Sequence, residues 1–278
     1  MAAEIKVQFA GNAVFFNSDN SEILKSLRIH FKHCAGAEAP SVANYEVIAG
    51  ADGSLSAYMD GVNLFSNSDF KTALWQLMQD ALFRLNSASS TELIFHAAAL
   101  AQNSHAIILC GGSGSGKSSL AAWLTASGMS YLTDEVISMP VDGAAISGLC
   151  RSIVLKSGSA FIWQHWLKNL NTEGFLRFKE NSVWIEPSLF NPDGIQAKAT
   201  PHLLIFPRYV PDTQFRVEHL TPAAVLFRLL QHLVNARNFS DYGLAATARL
   251  ARQVDAYTLE YSHIETASEW IQKTLQPG

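Results

Sequence analysis

Eight consecutive residues constrain this chain more than any others. Gly111-Gly112-Ser113-Gly114-Ser115-Gly116-Lys117-Ser118 fit the pattern GxxxxGK[ST] at every position. Glycines let successive backbone N–H groups turn inward around the oxygens of an anion, in conformations that a Cβ would forbid. A helix beginning near Lys117 aims the positive end of its dipole at the same oxygens. Lys117 then reaches the β- and γ-phosphates of a nucleotide, and the Ser118 hydroxyl is placed to ligate Mg²⁺. The flanks agree, with an apolar strand-like run (AIILC) before the loop and a helical run (SSLAAWL) after it. A ligand-free Gly/Ser hairpin has no need of them. The expected nucleotide-binding residues are therefore Gly111, Gly112, Ser113, Gly114, Ser115, Gly116, Lys117, Ser118 and Ser119, with ATP and Mg²⁺ as the cofactors.

The same flanks set the fold class. From Glu92 onward ELIFHAAAL and SHAIILC read as strands, followed by the loop, the helix KSSLAAWLTAS, a turn at Gly128 and a short strand SYLT. Strand–loop–helix–strand is the βαβ unit, which predicts an α/β core with a mixed or parallel sheet flanked by helices. Further strands are expected near 152–155, 202–206 and 257–261. A helix is expected from Thr221, with Pro222 at its first position, to about Arg237, and a closing one near 265–275. Asn235 and Arg237 then read as a solvated face.

Ahead of this core, residues 4–66 look strand-rich, with an Asp60-Gly61 hairpin turn. The run DFKTALWQLMQDALFRL repeats apolar residues at three and four, the mark of an amphipathic helix, with Asn67 or Ser68 as its cap. The stretch NSASST (86–91) reads as a linker. Two units follow: a smaller strand-rich α+β unit over 1–90 for recognition, and a catalytic unit over 91–278.

An Asp-Glu pair, Asp134-Glu135, lies 17 residues beyond Lys117, the length of one helix, a turn and a short strand. A strand of that length ends beside the loop, where open α/β sheets bind ligands. There one carboxylate takes a hydroxyl proton from an acceptor while its neighbour helps Ser118 hold Mg²⁺, so the metal set is Ser118 and Glu135. No NKxD guanine-reading motif occurs.

These residues resemble the HPr kinase/phosphorylases and their shorter relatives. That family carries a histidine on the strand before the loop strand, a GxSGxGKS loop, and an acidic pair after the next helix. Here His96 lies 15 residues before Gly111, followed by GGSGSGKSS and LTDE. The resemblance covers roughly residues 92–136. It implies that Asp134 is the general base, that Glu135 stands where the family usually has a second Asp, and that His96 belongs to the active site. The parent family's Glu-x-Arg-Gly signature is absent. In its place RSIVLKSGS offers Arg151 and Lys156, and LLIFPRY offers Arg208, as cations for the transferring phosphoryl group. The expected catalytic set is Asp134, His96, Lys117, Lys156 and Arg208.

The activity implied is ATP-dependent phosphoryl transfer to a hydroxyl, most naturally a serine of a peptide or protein. A small-molecule hydroxyl acceptor stays open, as do a nucleotide-binding regulatory module with little turnover and a phosphoenolpyruvate-carboxykinase-like enzyme. Composition narrows the partners. A net charge of −4 without a basic run gives no footing for nucleic acid. No apolar run approaches the ~18 residues a membrane helix needs, and MAAEIKVQFAG carries no secretory signal. Cys34, Cys110 and Cys150 are widely separated, without a CxxC pair, as expected of free thiols in a reducing compartment. A cytoplasmic location is expected; a homo-oligomer is left open.

Overall fold

Alternation of apolar and polar residues builds the first sheet. The computed structural model describes residues 3–36, 38–167, 174–178 and 182–275. In it β1 (Ala3–Phe9) and β2 (Asn12–Ser18) form an antiparallel hairpin, and α1 (Ser21–His30) follows. Next come β3 (Ser41–Ala49), parallel to β2, and the hairpin β4 (Leu55–Met59)–β5 (Val62–Ser68), in the order β1-β2-β3-β4-β5. On β3, Ala43, Tyr45 and Val47 are buried while Asn44, Glu46 and Ile48 are exposed, the period-two signature of a half-covered sheet. Asp60 and Gly61 turn the hairpin with φ of 49° and 80°, matching the strand twist. Residues 4–66 are strand-rich as expected, with helix α1 as an element their pattern did not single out. Asn20 caps it by accepting from the Glu22 and Ile23 amides, and Ile23, Leu24 and Leu27 bury its inner face.

Helix α2 (Phe70–Ala88) packs on this sheet. Its cap is Asp69, which accepts from the Lys71 and Thr72 amides, rather than Asn67 or Ser68. An N-cap needs extended backbone; Asn67 is left-handed at φ 54°, and Ser68 still belongs to β5. The helix also runs through Asn86-Ser87-Ala88, where a linker was expected. Ser87 satisfies its hydroxyl on the Phe83 carbonyl at 2.6 Å, one turn back, and so does not break the helix. Leu74, Leu77, Met78 and Leu85 of α2 share one apolar cluster with Ile94, Val136, Leu149 and Trp184. That cluster is continuous across residue 90.

The second sheet follows: β6 (Glu92–Gln102), β7 (His105–Cys110), α3 (Lys117–Ala126), β8 (Ser130–Thr133), β9 (Val136–Pro140) and β10 (Ile146–Gly148). A small antiparallel sheet of β11 (Ile153–Lys156), β12 (Phe175–Phe178) and β13 (Ser182–Ile185) interrupts it and carries α4 (Ala160–Trp166). Then come β14 (Lys198–Tyr209), β15 (Arg216–His219), α5 (Pro222–Leu230), α6 (Leu244–Gln253), β16 (Asp255–Tyr261) and α7 (Ile264–Thr274). The strand order is β10-β9-β6-β7-β14-β16-β15, with β8 paired to β6. β7, β14 and β16 are parallel and β6 is antiparallel to β7, so the sheet is mixed. Alternate residues of β7 serve opposite layers. Ile107 and Leu109 cluster with α3 and α7, whereas Ile108 and Cys110 cluster with α5 and α6. The result is an α/β architecture with helices on both faces. Among the described residues no helix is long and apolar enough to cross a membrane. All three cysteines are buried free thiols.

Helix α5 starts on Thr221 and Pro222 as expected but stops at Leu230, well before Arg237. The chain leaves it to run along β6, where His232 accepts from the His96 amide and the Val234 amide donates to Ile94, both at 2.8 Å. Asn235 is therefore buried, at 4% exposure, and is no part of a solvated face. Its Oδ1 accepts from the Ile94 amide at 2.9 Å, and its Nδ2 donates to the carbonyls of Ser89 (3.0 Å) and Glu92 (2.8 Å). This amide ties the end of α2 to the start of β6.

Truncating that amide leaves the buried Ile94 N–H without its partner, each orphaned buried group costing about 1–3 kcal/mol. Asn235→Ala is expected to lower unfolding free energy by roughly 2–4 kcal/mol in urea titrations, with native far-UV circular dichroism retained.

Candidate active site

Three parallel strands deliver their carboxyl ends to one edge: Cys110 of β7, Tyr209 of β14 and Tyr261 of β16. A cleft of about 650 Å³ opens there, where such sheets bind ligands. The glycine-rich loop forms its floor. Gly114 and Gly116 are left-handed, at φ 86° and 90°, a conformation costly for any residue with a Cβ. A Cβ on Gly116 would also collide with the Tyr261 hydroxyl. Lys117 then starts α3.

Of the nine loop residues expected to bind nucleotide, Gly112, Ser113, Gly114, Gly116, Lys117, Ser118 and Ser119 line the cleft. Gly111 and Ser115 do not. The Ser115 side chain instead packs behind the loop against Gly111. Its carbonyl accepts from the Tyr209 amide at 3.0 Å, which ties the loop to the end of β14. Lys156, at the end of β11, reaches across to donate to Ser113 Oγ at 3.3 Å. The hydroxyls of Ser119 and Ser159 lie 2.5 Å apart, joining α3 to the segment before α4.

Buried charge concentrates behind the loop. Lys117 is 7% exposed and donates from Nζ to the Asp134 carbonyl at 2.7 Å. Burial lowers its pKa, although Asp134 and Glu135 pull the other way. The Asp134 side chain is 1% exposed and accepts from the Tyr131 hydroxyl and the Val154 amide, each at 3.2 Å. Arg151 Nη2 lies 3.6 Å from Asp134 and makes a closer ion pair with Glu135. His96 Nδ1 sits 3.5 Å from the other oxygen of Glu135. Burial by itself would raise Glu135, but Arg151, with His96 and Lys117, prevails and holds it below the usual carboxylate range. Burial opposes the charge of Arg151 too, and the two carboxylates overcome it, keeping the guanidinium protonated. His96 is lowered by burial and by Lys117, against the two acids, which favours its neutral imidazole.

The cleft thus brings together Asp134, Glu135, His96, Lys117 and Lys156. Arg208 is not among its lining residues. It is two-thirds exposed and pairs with Glu260 at 3.1 Å, its neighbour in register on β16. Successive strand residues point to opposite faces, so Tyr209 takes the inward place, across from Tyr261. Sequence reasoning chose the cation and missed the tyrosine beside it. It also passed over Trp75, Met78 and Gln79 of α2, which form part of the cleft wall. The visible signal was Trp75 and Gln79 standing off the apolar stripe of α2 at a spacing of four. Arg151 entered as one of three candidate cations; its burial between the acids could not be read from spacing.

Among the described residues no group of three or more His, Cys, Asp or Glu could hold a metal ion. Mg²⁺ does not require one, since one or two protein oxygens with substrate phosphates and water suffice. Ser118 and Glu135 both line the cleft and fit that demand.

No family model matches the chain, and no curated protein matches it. Among solved structures it is similar to one described as the Hpr(Ser) kinase/phosphatase from Coxiella burnetii. The identity is 13%, with 65% of this chain and 95% of that one covered and a TM-score of 0.33.

Arg151 makes a sharp test of the charge cluster. Arg151→Met leaves two carboxylates without their buried partner, and loss of about 3–5 kcal/mol is expected. The pH dependence carries the same information. A depressed Glu135 adds stability above its ordinary value of 4.5 that is lost as pH falls through its folded value. A depressed His96 adds stability above 6.5 that is likewise lost on acidification. Thermal melts from pH 8 to pH 4 are expected to show falling stability in the wild type. In Arg151→Met the Glu135 part of that slope should flatten or reverse.

Proposed function

We propose that this protein is an ATP-dependent kinase that transfers the γ-phosphoryl group to a hydroxyl, a serine of a peptide or protein. One observation carries the proposal: the loop lysine, the acidic pair, His96 and Lys156 converge on a single cleft whose floor is the left-handed glycine loop. Backbone N–H groups of the loop and Lys117 would take the β- and γ-phosphates, and Lys156 would meet the charge of the group in flight. Lys117, Arg151, Asp134 and Glu135 cancel one another, so an incoming triphosphate brings negative charge that Lys156 alone does not offset. Mg²⁺ held by Ser118 and Glu135 would supply the balance and polarise the γ-phosphoryl oxygens.

The acceptor proton goes to the acidic pair. Asp134 is the proposed base, fixed by Tyr131, Val154 and Arg151. A second assignment has its own support: Asp134 is almost fully buried, whereas the Glu135 side chain is 30% exposed and lies 3.5 Å from His96 Nδ1. The Glu135–His96 couple is then the proton acceptor and Asp134 a positioning residue.

The wall at the acidic end supports a chain-like acceptor. Trp75 and Gln79 line both the cleft and a second hollow of about 360 Å³ bounded by Leu64, Phe65, Gln76, Asp80 and Phe83. Trp75, Gln79 and Phe83 lie at intervals of four along α2, with Trp75 and Phe83 exposed. An extended peptide with an apolar residue a few positions from its serine fits such a trough better than a small hydroxylated metabolite does.

Purified protein with γ-labelled ATP, Mg²⁺ and a library of serine-containing peptides tests the proposal. Labelled peptide is expected from the wild type. Lys117→Ala is expected to lose nucleotide binding. Asp134→Asn should bind ATP yet transfer at least about 100-fold more slowly. Transfer that survives in Asp134→Asn and disappears in Glu135→Gln would move the base to Glu135. Nucleotide binding without any labelled acceptor would instead favour a regulatory module.

A further inference from the structure

The cleft has two ends, and only one is used above. Glu135 and His96 lie toward α2, whose inner face clusters with their chain neighbours Val136 and Ile94. The other end is built where β14 and β16 stop: Tyr209, Tyr261, and the turn Ser262-His263 into α7. We infer that this end, with Tyr209 as its stacking surface, holds the base and ribose of the nucleotide. The inference rests on the nucleotide reading of the loop.

Three independent observations point there. First, Gly116 packs directly on the two tyrosines, with no room for a Cβ between them. A triphosphate seated on the loop amides therefore has its nucleoside within reach of this wall. Second, Tyr209 is a half-exposed aromatic ring held in a set orientation. Its amide bonds the loop at Ser115, and its ring stands at 67° to that of Tyr261 with centroids 5.9 Å apart. A fixed, half-exposed ring beside a phosphate site suits a flat heterocycle, which stacks on aromatic faces whatever its substituents. Third, Tyr261 is 1% exposed, and its buried hydroxyl has no hydrogen-bond partner among the described residues. Buried hydroxyls in native proteins normally find one, and this one lies on the cleft wall against the loop. Glu265, exposed in the first turn of α7, lines the same end. A carboxylate there suits ribose hydroxyls, which donate to acidic residues in other nucleotide sites. The Ser262 hydroxyl is already committed to the Thr213 carbonyl at 2.9 Å.

The test compares ATP with inorganic tripolyphosphate, which offers the loop the same anion without a nucleoside. Binding of each with Mg²⁺ is measured by calorimetry for the wild type, Tyr209→Ala, Tyr209→Trp and Tyr261→Phe. Tyr209→Ala is expected to weaken ATP about tenfold or more while leaving tripolyphosphate within twofold. Tyr209→Trp, which keeps a stacking face, should restore ATP affinity. Tyr261→Phe removes a hydroxyl that no protein group uses, so ATP affinity should fall several-fold with no drop in melting temperature. Equal weakening of both ligands in Tyr209→Ala would overturn the proposal, leaving the tyrosine a support for the loop. So would unchanged ATP affinity in that variant. A wild type that binds neither ligand would refute the loop as a nucleotide site and take this inference with it.

Discussion

The guanidinium of Arg151 is the interaction on which the site depends. It lies buried between the carboxylates of Asp134 and Glu135, and desolvating any one of these charges alone would cost several kcal/mol. Together with Lys117 they form a closed set of two positive and two negative groups. Because the set is balanced, Asp134 can sit in near-complete burial and Lys117 under the loop. The same arrangement has geometric consequences. Asp134 accepts from the Val154 amide, so the small sheet carrying Lys156 is fastened to the acid it faces. Tyr131 donates to Asp134 and sits 3.2 Å from the Arg151 carbonyl, linking the strand before the acids to the segment that leads into β11.

The local code of the core was largely legible in the sequence. Glycine spacing, a lysine at the first turn of a helix, and apolar strands on either side describe a loop whose geometry is determined within a few residues. The Asp60-Gly61 turn and the Thr221-Pro222 helix start were legible for the same reason. Errors cluster where side chains far apart in sequence decide the outcome. Helix α5 stops at Leu230 because β6 offers the next residues a strand to pair with, a competitor 135 or so positions upstream that no local pattern announces. Asn235 looked like a solvated residue because its three partners all lie near residue 90. Arg208 and Tyr209 show a subtler failure. Both were visible at the end of one strand, but which of them faces inward depends on strand register, and a step of one residue exchanges them.

The cleft joins elements of different origin. Its floor and one end come from the α/β core; the opposite wall comes from α2, which is built with the N-terminal sheet. An apolar cluster shared between α2, Ile94 and Val136 makes that wall part of the same packed body. The glycine-rich loop and the α2 wall opposite it are thereby fixed relative to each other by ordinary core packing rather than by a hinge.

The Asn235 amide carries this further. It joins the last turn of α2, through Ser89, to the first residues of β6, while the His232 carbonyl grips the His96 amide two residues on. Trp75 and His96 therefore stand on a single lever, and displacing one without the other means breaking buried hydrogen bonds. The opposite wall, α4 and the Lys156 strand, meets the loop and α3 through side-chain hydroxyls and one lysine, and Ile153, Leu155 and Ile162 behind it are buried with α3 and α7. Both jaws are cast into the frame, and the width of the cleft is set by the core before anything enters it.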